Sequence, residues 1–260
     1  MSSMGAVCPV LELRDVSLDY KTETGQRVRA LSKISFTLQT GEIVAVIGPS
    51  GCGKSTLLRI MAGLLVPTEG ERVVSNEILA NPLSISLNFQ SPTLLPWLSV
   101  AENALLPFEL ARVHVGSSTA RLLDDLLNLV GLENFRNSYP GELSGGMAMR
   151  ASFVRSFLTK PALVLLDEPF AALDEVTRQA LSSDLRRLCK SSDSTAILVT
   201  HNIREAIIIA DRIIILSQAP GIITSEIKNL PDMGDGGINS TLEAIELRYR
   251  KIFERVCHAW

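Results

Sequence analysis

The sequence predicts an α/β fold: a mostly parallel sheet, a small antiparallel β subdomain beside it, and a helical insert. Three observations predict it. The runs Ile43–Ile47, Leu163–Leu166 and Ile197–Thr200 are apolar or β-branched with little interruption, as strands buried on both faces are, and Ile85–Phe89 resembles them. The opening run Val10–Tyr20 instead alternates, through Leu11, Leu13, Val16 and Leu18, and Ile34–Leu38 does the same, which suits strands with one wet face. Between Ser91 and Pro161 the apolar positions take helical spacing.

In chain order, Lys21–Gln26 reads as a turn between the two alternating strands, and Thr40-Gly41 as the turn into the first buried strand. Leu122, Leu123, Leu126, Leu127 and Val130 share a helix face that stops at Gly131, a natural residue for a helix C-terminus. A second helix is expected over Gly145–Lys160, ended by Pro161. Asp232–Gly237 reads as a loop. Beyond it, Ser240-x-x-Glu243 forms a capping box ahead of Leu242, Ile245, Tyr249, Ile252, Phe253 and Val256. The buried runs end at Gly48, Gln90, Asp167 and His201. If they are neighbours in one sheet, these groups converge on its carboxyl edge, where open α/β sheets bind ligands.

Charge and length exclude several classes. The 260 residues are 46% apolar, which is globular rather than disordered, and 25 basic residues against 28 acidic ones leave a net charge of −3. No basic excess marks a nucleic-acid binder, so nucleic acid is not expected as a partner. The apolar stretch Ala206–Leu216 is cut by Asp211 and Arg212 and falls short of the roughly 20 residues a membrane span needs. Met1–Val10 has neither a basic start nor a long apolar run, so no leader is expected. Cys8, Cys52, Cys189 and Cys257 are scattered, without metal-site spacing, and read as free thiols.

The chemistry concentrates in Gly48-Pro49-Ser50-Gly51-Cys52-Gly53-Lys54-Ser55, which fits G-x-x-x-x-G-K-[ST] between a strand and a helix. Glycines let backbone N–H groups turn inward around phosphate. Lys54 brings positive charge to the β- and γ-phosphates, Ser55 a hydroxyl for Mg²⁺, and the helix N-terminus its dipole. Thr56 is expected to join the same cradle. Asp167 ends an apolar strand, the place of a second Mg²⁺ ligand in nucleoside-triphosphate hydrolases, and Glu168 beside it can polarise the attacking water. Cys52, near Lys54 and a helix N-terminus, is expected to be a reactive thiol.

Leu143-Ser144-Gly145-Gly146-Met147 resembles the signature motif of ATP-binding-cassette (ABC) ATPases. Asp167-Glu168-Pro169 with Ala172-Leu173-Asp174 resembles their Walker B and D-loop, Thr200-His201 their switch histidine, Gln90 their Q-loop, and Tyr20 the aromatic stacked on adenine. The motifs run in family order from about residue 10 to residue 225. Within Leu94-Leu95-Pro96-Trp97, Glu102-Asn103 and Pro220-Gly221, with Met147 ending the signature, the chain resembles the nitrate, sulfonate and taurine importer ATPases. The resemblance implies a P-loop NTPase core over 1–90 and 160–225, a helical signature subdomain over 91–159, and a C-terminal loop and helix over 226–260, all in one ABC ATPase domain.

It further implies ATP and Mg²⁺ as cofactors, with Ser55, Gln90 and Asp167 on the metal and Glu168, His201, Gln90 and Lys54 catalytic. Tyr20, the loop Gly48–Thr56, Ser144, Gly145, Gly146 and Asp174 would contact nucleotide, with Ser144, Gly145 and Gly146 doing so across a head-to-tail dimer with a second copy or a homologous ATPase. The expected partners are transmembrane permease subunits with a substrate-binding protein, and the expected place is the cytoplasmic face of the inner membrane, peripherally. Trp97 would suit docking to the permease. A lipid-trafficking ABC ATPase and a soluble, non-transport one are the alternatives.

Overall fold

Parallel pairing of buried strands organises the molecule. A computed structural model describes residues 9–228, apart from 172 and 193, together with 247, 250, 251 and 254. The capping box Ser240–Glu243 and the apolar positions Leu242, Ile245, Tyr249, Ile252, Phe253 and Val256 lie outside the described residues, as do Cys8 and Cys257.

Strands β1 (Pro9–Lys21) and β2 (Arg27–Gln39) form an antiparallel hairpin. The second strand begins seven residues before the alternating run Ile34–Leu38. In its outer half Val28 is half exposed and Leu31 fully buried among Arg27, Arg29 and Lys33, so the apolar residues there follow no regular alternation. β3 (Ile43–Ile47) is buried at every position and leads through the glycine-rich loop into α1 (Lys54–Met61). Residues 69–80 then give β4 (Glu69–Val74), which pairs with β1, and the short helix α2 (Asn76–Ala80), neither of which carries a clear apolar period.

β5 (Ile85–Asn88) returns to the main sheet, and the insert comes next as α3 (Val100–Leu110), α4 (Ser117–Leu129) and α5 (Gly145–Leu158). Gly131, at φ +69°, ends α4 as its sequence suggests, and α5 stops just short of Lys160. β6 (Leu163–Asp167), α6 (Glu175–Ser191), β7 (Thr195–Thr200), α7 (Ile203–Ile209), β8 (Arg212–Leu216) and β9 (Ile223–Lys228) complete the fold. The apolar stretch Ala206–Leu216 is thus a helix and a strand, parted at Asp211.

The main sheet has six strands in the order β5-β6-β7-β3-β8-β9, parallel except for β9 against β8. Alternation within β6 sends Val164 and Leu166 toward the insert helices and α6, and Leu163 and Leu165 toward α1 and the three-stranded antiparallel sheet β2-β1-β4. Burying each such side chain contributes roughly 1.5–3 kcal/mol, so the sheet is held from both faces. All four runs read as buried strands therefore lie in one sheet, and their carboxyl ends share one edge.

Arg212, on β8, ties the two sheets together. Its Nε and Nη2 donate to the Glu42 carboxylate at 2.7 Å, Nη2 also to the Thr37 carbonyl at 2.7 Å, and Nη1 to Glu226 at 3.0 Å. Replacing Arg212 by Ala should lower unfolding stability by about 3 kcal/mol, because it strands partly buried carboxylates. Urea unfolding measures it; a loss below about 1 kcal/mol would class the network with weak surface bridges.

Candidate active site

The loop between β3 and α1 wraps on itself. Gly51 and Gly53 take φ of +77° and +98°, a region that side chains with a Cβ disfavour. Gly53 is also crowded: a Cβ there would stand 2.7 Å from the Leu31 side chain and 2.8 Å from the Ala30 carbonyl. Lys54, only 5% exposed, folds its ammonium back into the loop and donates to the carbonyls of Gly48 and Pro49, both at 2.9 Å. A cation sits within a tightly turned backbone at a helix N-terminus, the arrangement that binds a polyphosphate.

The loop is braced from behind by Gly221, which the sequence marks only as half of a Pro-Gly pair. Gly221 donates to the Ala30 carbonyl at 2.9 Å and accepts from the Ser32 N–H at 3.0 Å, and a Cβ on it would run into the Cys52 carbonyl. The same packing corrects the expectation of a reactive Cys52. Its side chain points into the core, 1% exposed, with Sγ 2.7 Å from where a Cβ on Gly48 would lie. The turn of the loop sends this side chain to the back, away from the phosphate side. Cys189 is buried too, and burial pushes its thiol up to about 12.

At the end of β6, Asp167 accepts a hydrogen bond from the Ser55 hydroxyl at 3.0 Å. Burial raises the Asp167 carboxyl above its ordinary range and Glu168 adds to this, while Ser55, Arg59 and Lys54 oppose it. A hydroxyl and a half-buried carboxylate side by side are the hard oxygen donors that fit Mg²⁺. Glu168 takes φ +45°, a left-handed conformation that costs a non-glycine residue on the order of 1 kcal/mol or more and recurs at functional sites. Its N–H donates to the Val199 carbonyl at 2.9 Å. The carboxylate reaches two groups: Oε1 lies 3.9 Å from Lys54 Nζ, and Oε2 is 3.1 Å from His201 Nδ1. Glu168 is thereby held between the phosphate loop and the end of β7.

Tyr20 keeps a partly exposed ring and bonds through its hydroxyl to Thr56 Oγ1 at 3.1 Å, which turns the Thr56 side chain toward the edge of β1. Gln90 is exposed just beyond β5. Its segment is fastened to α5 by two contacts that sequence reasoning missed. Asn88 donates to Ser152 at 3.2 Å, and Arg155 donates to the carbonyls of Pro92 and Thr93 and to Thr93 Oγ1, each at 2.9 Å. The signal is Arg155, the one charged residue in the stretch Ser152–Leu158.

Ser144, Gly145, Gly146 and Asp174 form a second group. Ser144 caps α5 by accepting the Met147 N–H at 3.3 Å, and open space surrounds any Cβ added to Gly145. A Cβ on Gly146 would lie 3.3 Å from Leu173 and 3.8 Å from Thr177, so the start of α5 leans on the start of α6. Asp174 caps α6 through the Thr177 N–H at 3.0 Å. Ala172, in the same D-loop stretch, lies outside the described residues.

Comparison with known proteins identifies the family. Residues 31–171 match the family described as ABC transporter. The chain belongs to that family. Among its relatives, the taurine import ATP-binding protein TauB of Pelagibacter ubique is 38% identical over 234 residues, covering 90% of this chain and 87% of the relative. The aliphatic sulfonates import ATP-binding protein SsuB of Bacillus thuringiensis subsp. konkukian is 41% identical over 220 residues, 84% and 86% of the two chains. A solved dimeric post-hydrolysis state of the ATP-binding cassette MJ0796 bound to ADP and Pi superposes with a TM-score of 0.73 at 30% identity, covering 86% of this chain and all of that one. The ABC cassette fold, with its α/β core, antiparallel sheet and helical insert, is therefore the fold of this chain.

The packing of the loop sets two expected outcomes. Gly221→Ala should push the Cys52 carbonyl and weaken ATP binding about tenfold or more, ~1.4 kcal/mol, by titration calorimetry; unchanged affinity would show that the loop yields freely. Peptide mapping after brief alkylation of the native protein should find Cys52 and Cys189 unmodified, and labelling of Cys52 ahead of unfolding would contradict its burial.

Proposed function

We propose that this ABC cassette is the ATP-hydrolysing subunit of an importer: it dimerises around two MgATP and powers a separate membrane permease that takes up a small anion of the sulfonate or taurine kind. Glu168 carries this reading, standing between Lys54 and His201 beside the phosphate loop. The names of the relatives support the transport role and the class of cargo, and the dimeric cassette structures support the pairing. No helix among the described residues is long and apolar enough to cross a membrane. A peripheral place on the cytoplasmic face, held there by the permease, is consistent with this, and a substrate-binding protein would complete the importer.

In this proposal the backbone from Gly48 to Thr56 binds the phosphates, Lys54 exchanges its carbonyl partners for the β- and γ-phosphate oxygens, and Tyr20 offers its ring to adenine. Ser55, Asp167 and Gln90 would hold Mg²⁺, which would supply positive charge to neutralise the phosphates. Water attacks the γ-phosphorus in line with the bond to ADP. Glu168 accepts its proton, and His201 holds the Glu168 carboxylate and the departing phosphate in register. Ser144, Gly145 and Gly146 close over the nucleotide of the second copy with the free N–H groups and dipole of α5, beside Asp174.

The insert supplies the surface for the permease. Asn103 accepts from the Leu95 N–H at 2.8 Å and donates to the carbonyls of Leu95, Leu98 and Ser99, which shapes the turn that leaves Trp97 69% exposed. An aromatic of that size on a fixed turn suits an anchor in a partner's groove.

Lys54→Ala should abolish tight ATP binding. Glu168→Gln should keep binding and slow turnover by about 10²- to 10⁴-fold, the usual worth of a general base. Nucleotide titration and phosphate release check both, and near-normal hydrolysis by Glu168→Gln would remove that residue from its role.

A further inference from the structure

We infer that Arg178 and Glu205, a partly buried ion pair outside every motif of the site, are positioning residues for the hydrolytic step. The inference rests on the water-activating role proposed for Glu168. Glu205 lies on α7, only 5% exposed, an acid in an otherwise apolar face. One carboxylate oxygen is 3.4 Å from Arg178 Nε, and the other accepts from the Thr200 hydroxyl, one residue before His201. Thr200 Oγ1 in turn accepts the Asn202 N–H at 3.0 Å, so both neighbours of His201 are fixed to this carboxylate.

Arg178, on the first turn of α6, turns the other way. Its Nη2 donates to the Leu173 carbonyl at 2.6 Å and its Nε to the Phe170 carbonyl at 3.4 Å, while Nη1 holds Glu175 at 2.8 Å. Phe170 is two residues beyond Glu168, and Ala171 N–H closes the turn on the Glu168 carbonyl at 3.2 Å. A ring of contacts therefore runs from Glu168 through His201, Thr200, Glu205 and Arg178 to Phe170, and back to Glu168. The ring encloses the residue whose backbone is held at φ +45°. A strained conformation persists only where its surroundings over-determine it, and the ion pair adds a side-chain tie between the two loops to the Glu168 N–H bond on the Val199 carbonyl.

The pair also reaches the signature helix. Phe170 packs edge-to-face on Phe153 of α5 with ring centres 5.8 Å apart, and Leu173 abuts Gly146. Burial raises the Glu205 carboxyl, Thr200, Arg178 and His201 draw it down, and Glu168 raises it further. Replacing either member removes one of the ties that fix Glu168 against His201, and a small displacement of a general base is costly because proton transfer needs hydrogen-bond distance.

The test measures kcat, the KM for ATP, nucleotide affinity and melting temperature for the full chain carrying Glu205→Gln, Arg178→Gln, both together, and Arg178→Lys. Each single Gln variant should lose roughly ten- to a hundredfold in kcat with KM and affinity within about twofold. The double variant should be no slower than the worse single, since either change opens the ring, and Arg178→Lys should recover part of the rate. Should a Gln variant fail to fold, Glu205→Asp, which keeps the charge and shortens the arm, is expected to lower kcat at unchanged KM. A kcat within about twofold of wild type, or losses that multiply in the double variant, overturns the inference. Glu168→Gln is run in parallel. If it hydrolyses normally, both the assigned base and this inference fall; if it is inactive while the pair variants are not slowed, only the inference falls.

Discussion

Everything at the site depends on one constraint, that β5, β6, β7, β3 and β8 run parallel in a single sheet. Parallel strands finish at the same edge, so the loop leaving each strand meets the loops leaving its neighbours. The register makes the meeting specific. Ile47 pairs with Thr200 and Asp167 with Val199, which sets the phosphate loop, the carboxylates and His201 level with one another. No long-range side-chain contact has to find them, because the backbone ladder already has. The apolar character of these strands is thus also what aligns the chemistry.

Within that edge the polar groups are already paired. Lys54 is held by two carbonyls, Ser55 by Asp167, and Glu168 by His201. A buried cation without such partners would be expensive, and partners that phosphate oxygens can replace keep the exchange on binding nearly even. Glu168 departs from this economy, since its left-handed backbone stores strain beside the reacting centre. The ion pair of Arg178 and Glu205 answers that strain from outside the motifs, as Gly221 answers the tight curvature of the phosphate loop.

The sequence made legible whatever a local pattern encodes. The buried runs predicted β3, β6 and β7 to within about two residues, and Gly48–Ser55 located the site because its chemistry needs those types at that spacing. The outer half of β2, β4 and α2 stayed hidden, since their few buried residues, such as Leu31 and Ile78, stand among polar ones and set up no period. Cys52 misled: adjacency to Lys54 in sequence suggests a shared electropositive environment, but the turn sends the thiol to the core. Gly221, Arg155, Arg178 and Glu205 act through contacts with residues far along the chain or on other elements, and no spacing rule links Glu205 to Arg178. Long-range closure of this kind is a property of packing.

Two groups of residues then remain to be joined, the phosphate loop with its carboxylates and the exposed start of α5 at Ser144 and Gly145. Each ATP is proposed to lie between the first group of one copy and the second group of another, as the dimeric form of related cassettes supports. The most direct measurement uses two tagged chains, one carrying Lys54→Ala and the other Ser144→Arg. In the mixed dimer one composite site combines both defects, and the other keeps an intact Lys54 facing an intact Ser144. Doubly tagged dimers are purified and tested for nucleotide trapping. A shared site predicts that the mixed dimer traps MgATP while neither parent homodimer does. Mixed dimers that trap no nucleotide, like the parents, would contradict a site shared between two chains.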